Sequence, residues 1–140
     1  MSNLIVPNEA KNNWAQSQID NTPTLAGSTL RLYSSPIVIS TATTKAELEA
    51  IQATFPGYTA KPLENWTETV IVGNNAITEA DPVTYEATAA TTGNIYGCYV
   101  ISGAGGLLLG VVPFDTPVPI PFNVELQAVI QIDFGSIFSL

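Results

Sequence analysis

The strictest constraint on the fold lies near the C-terminal end, in the stretch FNVELQAVIQIDF. Apolar residues occupy every second position of this stretch: Phe122, Val124, Leu126, Ala128, Ile130, Ile132 and Phe134. The residues between them are polar except Val129. Successive side chains of a strand point to opposite faces, so this period predicts one long strand with a buried face and a solvated face. The fold should therefore contain an antiparallel sheet.

Most of the chain from residue 58 onward indicates further, shorter strands. Runs of strand-forming residues, separated by Gly, Asn, Asp or Pro, are YTAKPL, NWTETVIV, NAITEA, VTYEATA, NIYGCYVIS and GLLLGVV. Earlier in the chain, STLRLYSS places Leu30 and Leu32 on one side and Arg31 and Tyr33 on the other. Regular short strands of this kind predict a mainly β fold, an antiparallel β-sandwich of the jelly-roll type.

Two short helices are predicted in the N-terminal third. The first follows Pro7 and extends from about Asn8 to Ile19. The second lies in TTKAELEAIQATF, where Thr44 and Glu47 have the spacing of a capping box, and FPGY ends it. The first helix has a thin apolar face, so it should depend on packing against the rest of the fold.

The chain length favours a single domain. A chain of 140 residues with 46% hydrophobic content can form one ordinary core, so residues 1–140 are expected to fold as one unit. The terminal segments 1–6 and 135–140 are apolar, and two hypotheses fit them: they pack on their own domain, or they are docking arms for a neighbouring subunit. The candidate docking residues are Leu4, Ile5, Val6, Ile137, Phe138 and Leu140.

The glycine cluster SGAGG has to be tested as a phosphate-binding loop. A dinucleotide fingerprint needs a third glycine in the sixth position and a following helix, but Leu108 stands there and the sequence continues as a strand. No lysine follows the glycines, as a P-loop requires. The cluster is therefore predicted to be a hairpin turn in which glycine supplies a positive φ.

The residue types for most enzyme mechanisms are missing. The chain has no histidine, which removes the usual general base and the commonest zinc ligand. Carboxylates remain, and a glycosidase would use a pair of them beside an aromatic platform. The acids considered for it are Glu64, Glu68, Glu79, Asp81 and Glu86. Because acids on strands usually serve only solvation, we predict a protein that is not an enzyme, with no catalytic residue and no cofactor.

Neither a thiol site nor a metal site is predicted. Cys98 is the single cysteine and is expected to be a small buried residue of a strand. The turn GNNAITEAD offers Asn74, Asn75, Glu79 and Asp81 as oxygen ligands for calcium. Asn and Asp form turns without any ion, so a plain turn is the preferred interpretation.

The net charge of the chain limits the kinds of partner that it can bind. Twelve acids and four bases give a net charge of −8, which repels nucleic acid. The N-terminus lacks the pattern of a secretory signal, and no apolar run has the length of a membrane span. Synthesis in a cytoplasm, without nucleic-acid or membrane partners, is the expectation.

Several blocks together resemble a known group of proteins. LIVPNEAKNNW, TLRLYSS, FPGYTAKPLENW, IYGCYVISGAGGLLLGVVPF and VELQAVIQIDF occur in this order and cover most of the chain. They resemble small structural proteins of tailed bacteriophages. The resemblance implies a virion structural protein, namely a capsid decoration (cement) protein. Such a protein has a β-sandwich body and binds the major capsid protein on the capsid surface as an oligomer, often a trimer. The resemblance assigns no role to any residue.

A second functional hypothesis is a receptor-binding or carbohydrate-binding module of a phage tail fibre. It would stack sugars on exposed aromatic side chains. The candidates are Tyr33, Tyr58, Trp66, Tyr85, Tyr96 and Tyr99. Because they are spread over many strands, the preferred interpretation is that they fill the core and its edges.

Overall fold

A computed structural model describes residues 5, 7–10, 12–13, 27–65, 70–72, 75–86, 93–103, 106–119, 123–126 and 129–133. The strands are β1 (Thr29–Tyr33), β2 (Lys61–Pro62), β3 (Val70–Val72), β4 (Asn75–Glu79), β5 (Val83–Glu86), β6 (Asn94–Ile101), β7 (Leu108–Pro119), β8 (Asn123–Leu126) and β9 (Val129–Asp133). One helix extends over Lys45–Ala50, and residues 8–10 and 12–13 are also helical.

The strands form three antiparallel sheets. Four strands pair in the order β2-β1-β6-β7, three in the order β3-β4-β9, and two as β5-β8. The prediction of a mainly β, antiparallel chain with two short helices is confirmed. The four-stranded sheet is open in the described residues, and the finer assignment to a sandwich or jelly roll stays a prediction.

Both faces of the four-stranded sheet are covered by apolar side chains. The first core consists of Leu30, Leu32, Ala53, Phe55, Leu63, Ala80, Tyr85, Ile95, Cys98, Val100 and Leu109. The second core consists of Ala10, Tyr33, Leu48, Tyr99, Ile101, Leu108 and Val111. Successive residues of β1 and β6 alternate between them, as the pleat requires. The placement of Leu30 and Leu32 on one side and Tyr33 on the other is thus confirmed.

The prediction of one long strand over residues 122–134 is wrong. β8 pairs with β5 while β9 pairs with β4, so the stretch contributes two strands to two sheets. The break lies opposite residues 80–82 of the neighbouring chain segment. There Asp81 donates its N–H to the Glu64 carbonyl at 3.0 Å, and Pro82 has no N–H to donate. These two residues therefore contribute no N–H to the ladder, and pairing is found again from Val83 and Leu126 onward.

The glycine cluster forms a hairpin between β6 and β7, as predicted. Ser102 N–H donates to the Leu107 carbonyl at 2.8 Å, and Leu107 N–H donates to Ser102 Oγ at 2.9 Å. Gly106 has a φ of 58°, a conformation that glycine adopts without steric cost.

Beyond the hairpin, β7 is longer than predicted. It continues past Val112 to Pro119 and includes Pro113 and Pro117. A strand can carry prolines when it lies at an edge, where missing N–H groups leave no neighbour unpaired. β7 is such an edge of the four-stranded sheet.

The second helix begins as predicted. Thr44 is its N-cap, and its Oγ1 accepts a hydrogen bond from Glu47 N–H at 3.3 Å. The helix ends at Ala50, earlier than FPGY, because Gln52 forms a bridge with Tyr33 at the edge of β1. The predicted first helix is described only at residues 8–10 and 12–13, and positions 14–19 lie outside the described residues.

Candidate functional site

One candidate docking residue, Ile5, lies on the open edge of the four-stranded sheet. Its N–H donates to the Val111 carbonyl at 2.7 Å, and Val111 N–H donates to the Ile5 carbonyl at 2.9 Å. The two residues form an isolated antiparallel bridge. Ile5 therefore packs on its own chain here. The other five candidates, Leu4, Val6, Ile137, Phe138 and Leu140, lie outside the described residues.

Two prolines limit this contact to a single pair. Antiparallel pairing would next place Pro7 opposite Leu109, and the residue two positions before Ile5 opposite Pro113. Each of these rungs lacks one N–H donor, because proline has none. Ile5 is thus attached to the β7 edge by two backbone hydrogen bonds, whose net contribution to stability is modest.

The helix face of the sheet carries a small network of charges. Lys45 Nζ donates to the Gly106 carbonyl at 2.6 Å and lies 3.5 Å from Glu49 Oε1. Arg31 Nη1 lies 3.7 Å from the same Glu49 oxygen. At the start of the helix, Lys45 N–H donates to Glu9 Oε2 at 2.8 Å. These contacts join the helix to the β6–β7 hairpin, to β1 and to the N-terminal helical residues, so their role is structural.

The buried titratable groups are protonated at neutral pH. Burial raises the pKa of the Cys98 thiol to about 12, so a thiolate nucleophile is not available. Burial also raises the pKa of Tyr33 to about 12, with a smaller contribution from Cys98. The pKa of Tyr99 is raised to about 12 by burial first, with Arg31 acting in the opposite direction. Cys98 is a buried strand residue, as predicted.

The tyrosines of the described chain fill the core and its edges, as the sequence predicted. Tyr85 donates its hydroxyl to the Leu30 carbonyl and is 2% exposed. The Tyr58 ring stacks on Tyr85 at 5.8 Å and meets the Phe55 ring edge-on at 5.4 Å. Burial raises the pKa of Tyr85 strongly. Tyr33 and Tyr99 are also fully buried, and only Tyr58 and Tyr96 are half-buried.

Three of the candidate carboxylates have side chains that the structure describes. Glu64, Asp81 and Glu86 are exposed, and Asp81 Oδ2 accepts a hydrogen bond from Asn65 Nδ2 at 2.6 Å. Glu68 lies outside the described residues, and the Glu79 side chain is not described. In the part of the chain that is described, no group of three or more His, Cys, Asp or Glu residues could hold a metal ion. Of the four calcium candidates, Asp81 is the one whose side chain is described, and its neighbour there is the amide of Asn65.

Residues 36–40 show a feature that the sequence pattern did not predict. Val38 is 89% exposed and is the exposed large hydrophobic residue of the described chain. Its neighbours Ile37 and Ile39 are half-buried and pack against the second core. The available signal was an Ile-Val-Ile run in an uncharged stretch, a pattern that the sequence alone does not separate from an ordinary buried strand.

Comparison with known proteins adds no identification. In the described residues, no helix has both the length and the apolar character needed to cross a bilayer. No protein-family model matches the chain, and neither a curated protein nor a solved structure matches it significantly.

Proposed function

We propose that this chain is a non-enzymatic virion structural protein, a capsid decoration (cement) protein of a tailed bacteriophage. It is made in the host cytoplasm and binds the outer surface of the shell through the major capsid protein. Its body is a β-sandwich, and three copies associate as a homotrimer. The proposal rests on the resemblance of the sequence blocks to phage structural proteins.

The structural observation that supports the proposal best is the attachment of the N-terminal segment. Ile5 joins an open sheet edge by two hydrogen bonds, and prolines prevent the contact from extending. In this proposal the segment leaves the edge of its own chain and pairs with the same edge on a neighbouring subunit. The apolar segments 1–6 and 135–140 are the docking arms of this proposal.

Weak contacts of this kind suffice on a shell. A shell presents many equivalent sites, and an oligomer that engages several of them binds far more tightly than one subunit does. Such a role requires no chemistry from the buried tyrosines or from the buried thiol. The acidic surface suits a protein that should not bind the packaged nucleic acid.

The proposal is tested by reconstitution. Purified protein is added to shells prepared without it, and both the bound copies and the melting temperature of the shell are measured. We expect saturable binding at a fixed ratio to the major capsid protein and an increase in the melting temperature. Absence of saturable binding would contradict the proposal.

The docking arms are tested in the same assay. A variant without residues 1–6 and a second without residues 136–140 are compared with the intact chain. Each deletion should weaken shell binding or oligomer formation at least about tenfold, because an apolar segment that docks contributes a kcal/mol or more. Unchanged binding, oligomer size and melting in both variants would eliminate the arms from the proposal.

The tail-fibre module receives less support. It needs exposed aromatic rings, and the tyrosines Tyr33, Tyr85 and Tyr99 are buried. The hypothesis would then depend on Trp66, which lies outside the described residues. Glycan binding that is lost in Trp66→Ala would favour the tail-fibre module over the decoration protein.

A further inference from the structure

We propose that the N-terminal segment is a strap that opens as one unit while the four-stranded sheet stays folded. The strap comprises residues 5, 7–10 and 12–13 of the described chain. In the closed form it occupies a position on the outer edge of β7 and packs on the second core. The strap belongs to the isolated chain, so this inference does not depend on the capsid role.

Hydrogen bonds attach the strap to separate parts of the fold. Their donor-to-acceptor distances lie between 2.7 and 2.9 Å. They join the strap to β7, to the turn before the helix and to the first residue of the helix. The pairs are Ile5 with Val111, Asn8 with Thr41, Glu9 with Lys45, and Asn13 with Leu108.

The strap contributes little apolar side-chain volume to the core. Among its described residues, Ala10 is the one that belongs to the second core, and Pro7 is also buried. Asn8 and Asn12 are exposed. The large side chains of the second core come from the sheet and the helix. Segments with few buried apolar contacts open at lower free energy than the core strands, so the strap should open before the sheet unfolds.

Two amide groups outside the strap depend on it for their hydrogen bonds. Val111 lies on the outer edge of β7, and its N–H donates to the Ile5 carbonyl. Lys45 is the first residue of the helix, where an N–H has no acceptor within the helix, and it donates to Glu9 Oε2. Both amides should therefore lose their protection in the same event, although they lie far apart in the sequence.

The closed strap controls access to the sheet edge. It occupies the position opposite Val111, so another strand can pair there only after the strap opens. In the proposed capsid role, the arm at residues 1–6 would leave its own chain together with the strap, and this step alone rests on the proposed function. The experiments below use the isolated chain, so their failure would leave the capsid proposal standing.

Native-state hydrogen exchange tests the common opening. The amides of Ile5, Asn8, Lys45 and Val111 should have the same protection factor within about threefold. The Tyr99 amide, in the central strand β6, should be protected at least about tenfold more strongly. Unequal protection among the four amides would overturn the proposal. Protection of all four as strong as that of Tyr99 would overturn it as well, because the strap would then open only with the whole fold.

Substitutions of Glu9 test whether the strap opens as one unit. Glu9→Ala removes the acceptor of the Lys45 N–H and should accelerate exchange of the distant Val111 amide at least about tenfold. Glu9→Gln keeps an acceptor oxygen and should restore most of the protection. Glu86→Ala, which removes an exposed acid of β5, is the charge-matched control and should leave Val111 exchange unchanged. An unchanged Val111 rate in Glu9→Ala would overturn the proposal.

Thiol labelling provides an independent measurement. Ala10 is fully buried under the closed strap, so the thiol introduced by Ala10→Cys should react with a thiol reagent when the strap opens. The native Cys98 lies in the first core and should react only when the sheet unfolds. The introduced thiol should react at least about tenfold faster than Cys98, as peptide mapping would show. Equal labelling of the two thiols would overturn the proposal.

Discussion

The tightest fit between individual residues joins Tyr33 and Gly97. They are cross-strand partners in β1 and β6, and the Tyr33 ring covers the glycine. A Cβ atom at position 97 would lie 2.6 Å from Tyr33 Cε1 and closer still to the hydroxyl oxygen of Tyr33. Glycine is required here for space, whereas at Gly106 it is required for its positive φ.

Replacing Gly97 with alanine should therefore destabilise the fold by about 3 kcal/mol, the upper range for overpacking a core. Gly106→Ala is the matched control, because a Cβ there meets only Lys45 Nζ at 3.9 Å. It should cost only about 1 kcal/mol, from backbone strain. Urea denaturation measures both values. Equal losses would show that Tyr33 does not confine position 97.

Stability should fall as the pH rises above 9. Folding raises the pKa of Cys98 from 9.0 to about 12, and the pKa values of Tyr33 and Tyr99 from 10.0 to about 12. The unfolded chain loses these protons first. The stabilisation is therefore fully present below pH 9 and is lost between pH 9 and 12. Urea unfolding at a series of pH values, with tyrosinate absorbance in parallel, measures this. Constant stability up to pH 12 would contradict the assignment.

The elements show how far sequence reasoning reaches. The hairpin at SGAGG and the cap at Thr44 were predictable, because both depend on chemistry within a few residues. The division of residues 122–134 was not, because its cause lies elsewhere in the chain. Asp81 gives its N–H to Glu64 and Pro82 has none, which interrupts the pairing between Glu79 and Val83. Alternation fixes the faces of a strand but does not reveal where its neighbour stops.

The cap of the helix Lys45–Ala50 provides a prediction for an element. Thr44→Ala removes the Oγ1 acceptor of the Glu47 N–H and should cost about 1 kcal/mol. Thr44→Ser retains that oxygen and should cost a few tenths at most. Thermal unfolding measured by circular dichroism distinguishes the two variants. A loss in Thr44→Ser as large as that in Thr44→Ala would assign the effect to packing of the methyl group.

At the scale of the whole molecule, the described chain contains a four-stranded open sheet with a core on each face and two smaller sheets, and its candidate contacts lie at the edge and rim of the four-stranded sheet. Ile5 occupies one position of the β7 edge, and Val38 projects from the rim of the second core. The sequence indicated Ile5, because an apolar terminal segment is unusual. It did not indicate Val38, because an Ile-Val-Ile run is also typical of an ordinary buried strand. In the described chain, however, this run pairs with no neighbouring strand.

The central claim is that the chain decorates a capsid, and copy number in purified particles tests it most directly. Quantitative mass spectrometry of gradient-purified virions from the source lysate gives the ratio of this chain to the major capsid protein. A decoration protein should be present at a ratio close to that of the shell subunits. A handful of copies per particle would favour a tail component, and absence from the particles would contradict the virion proposal.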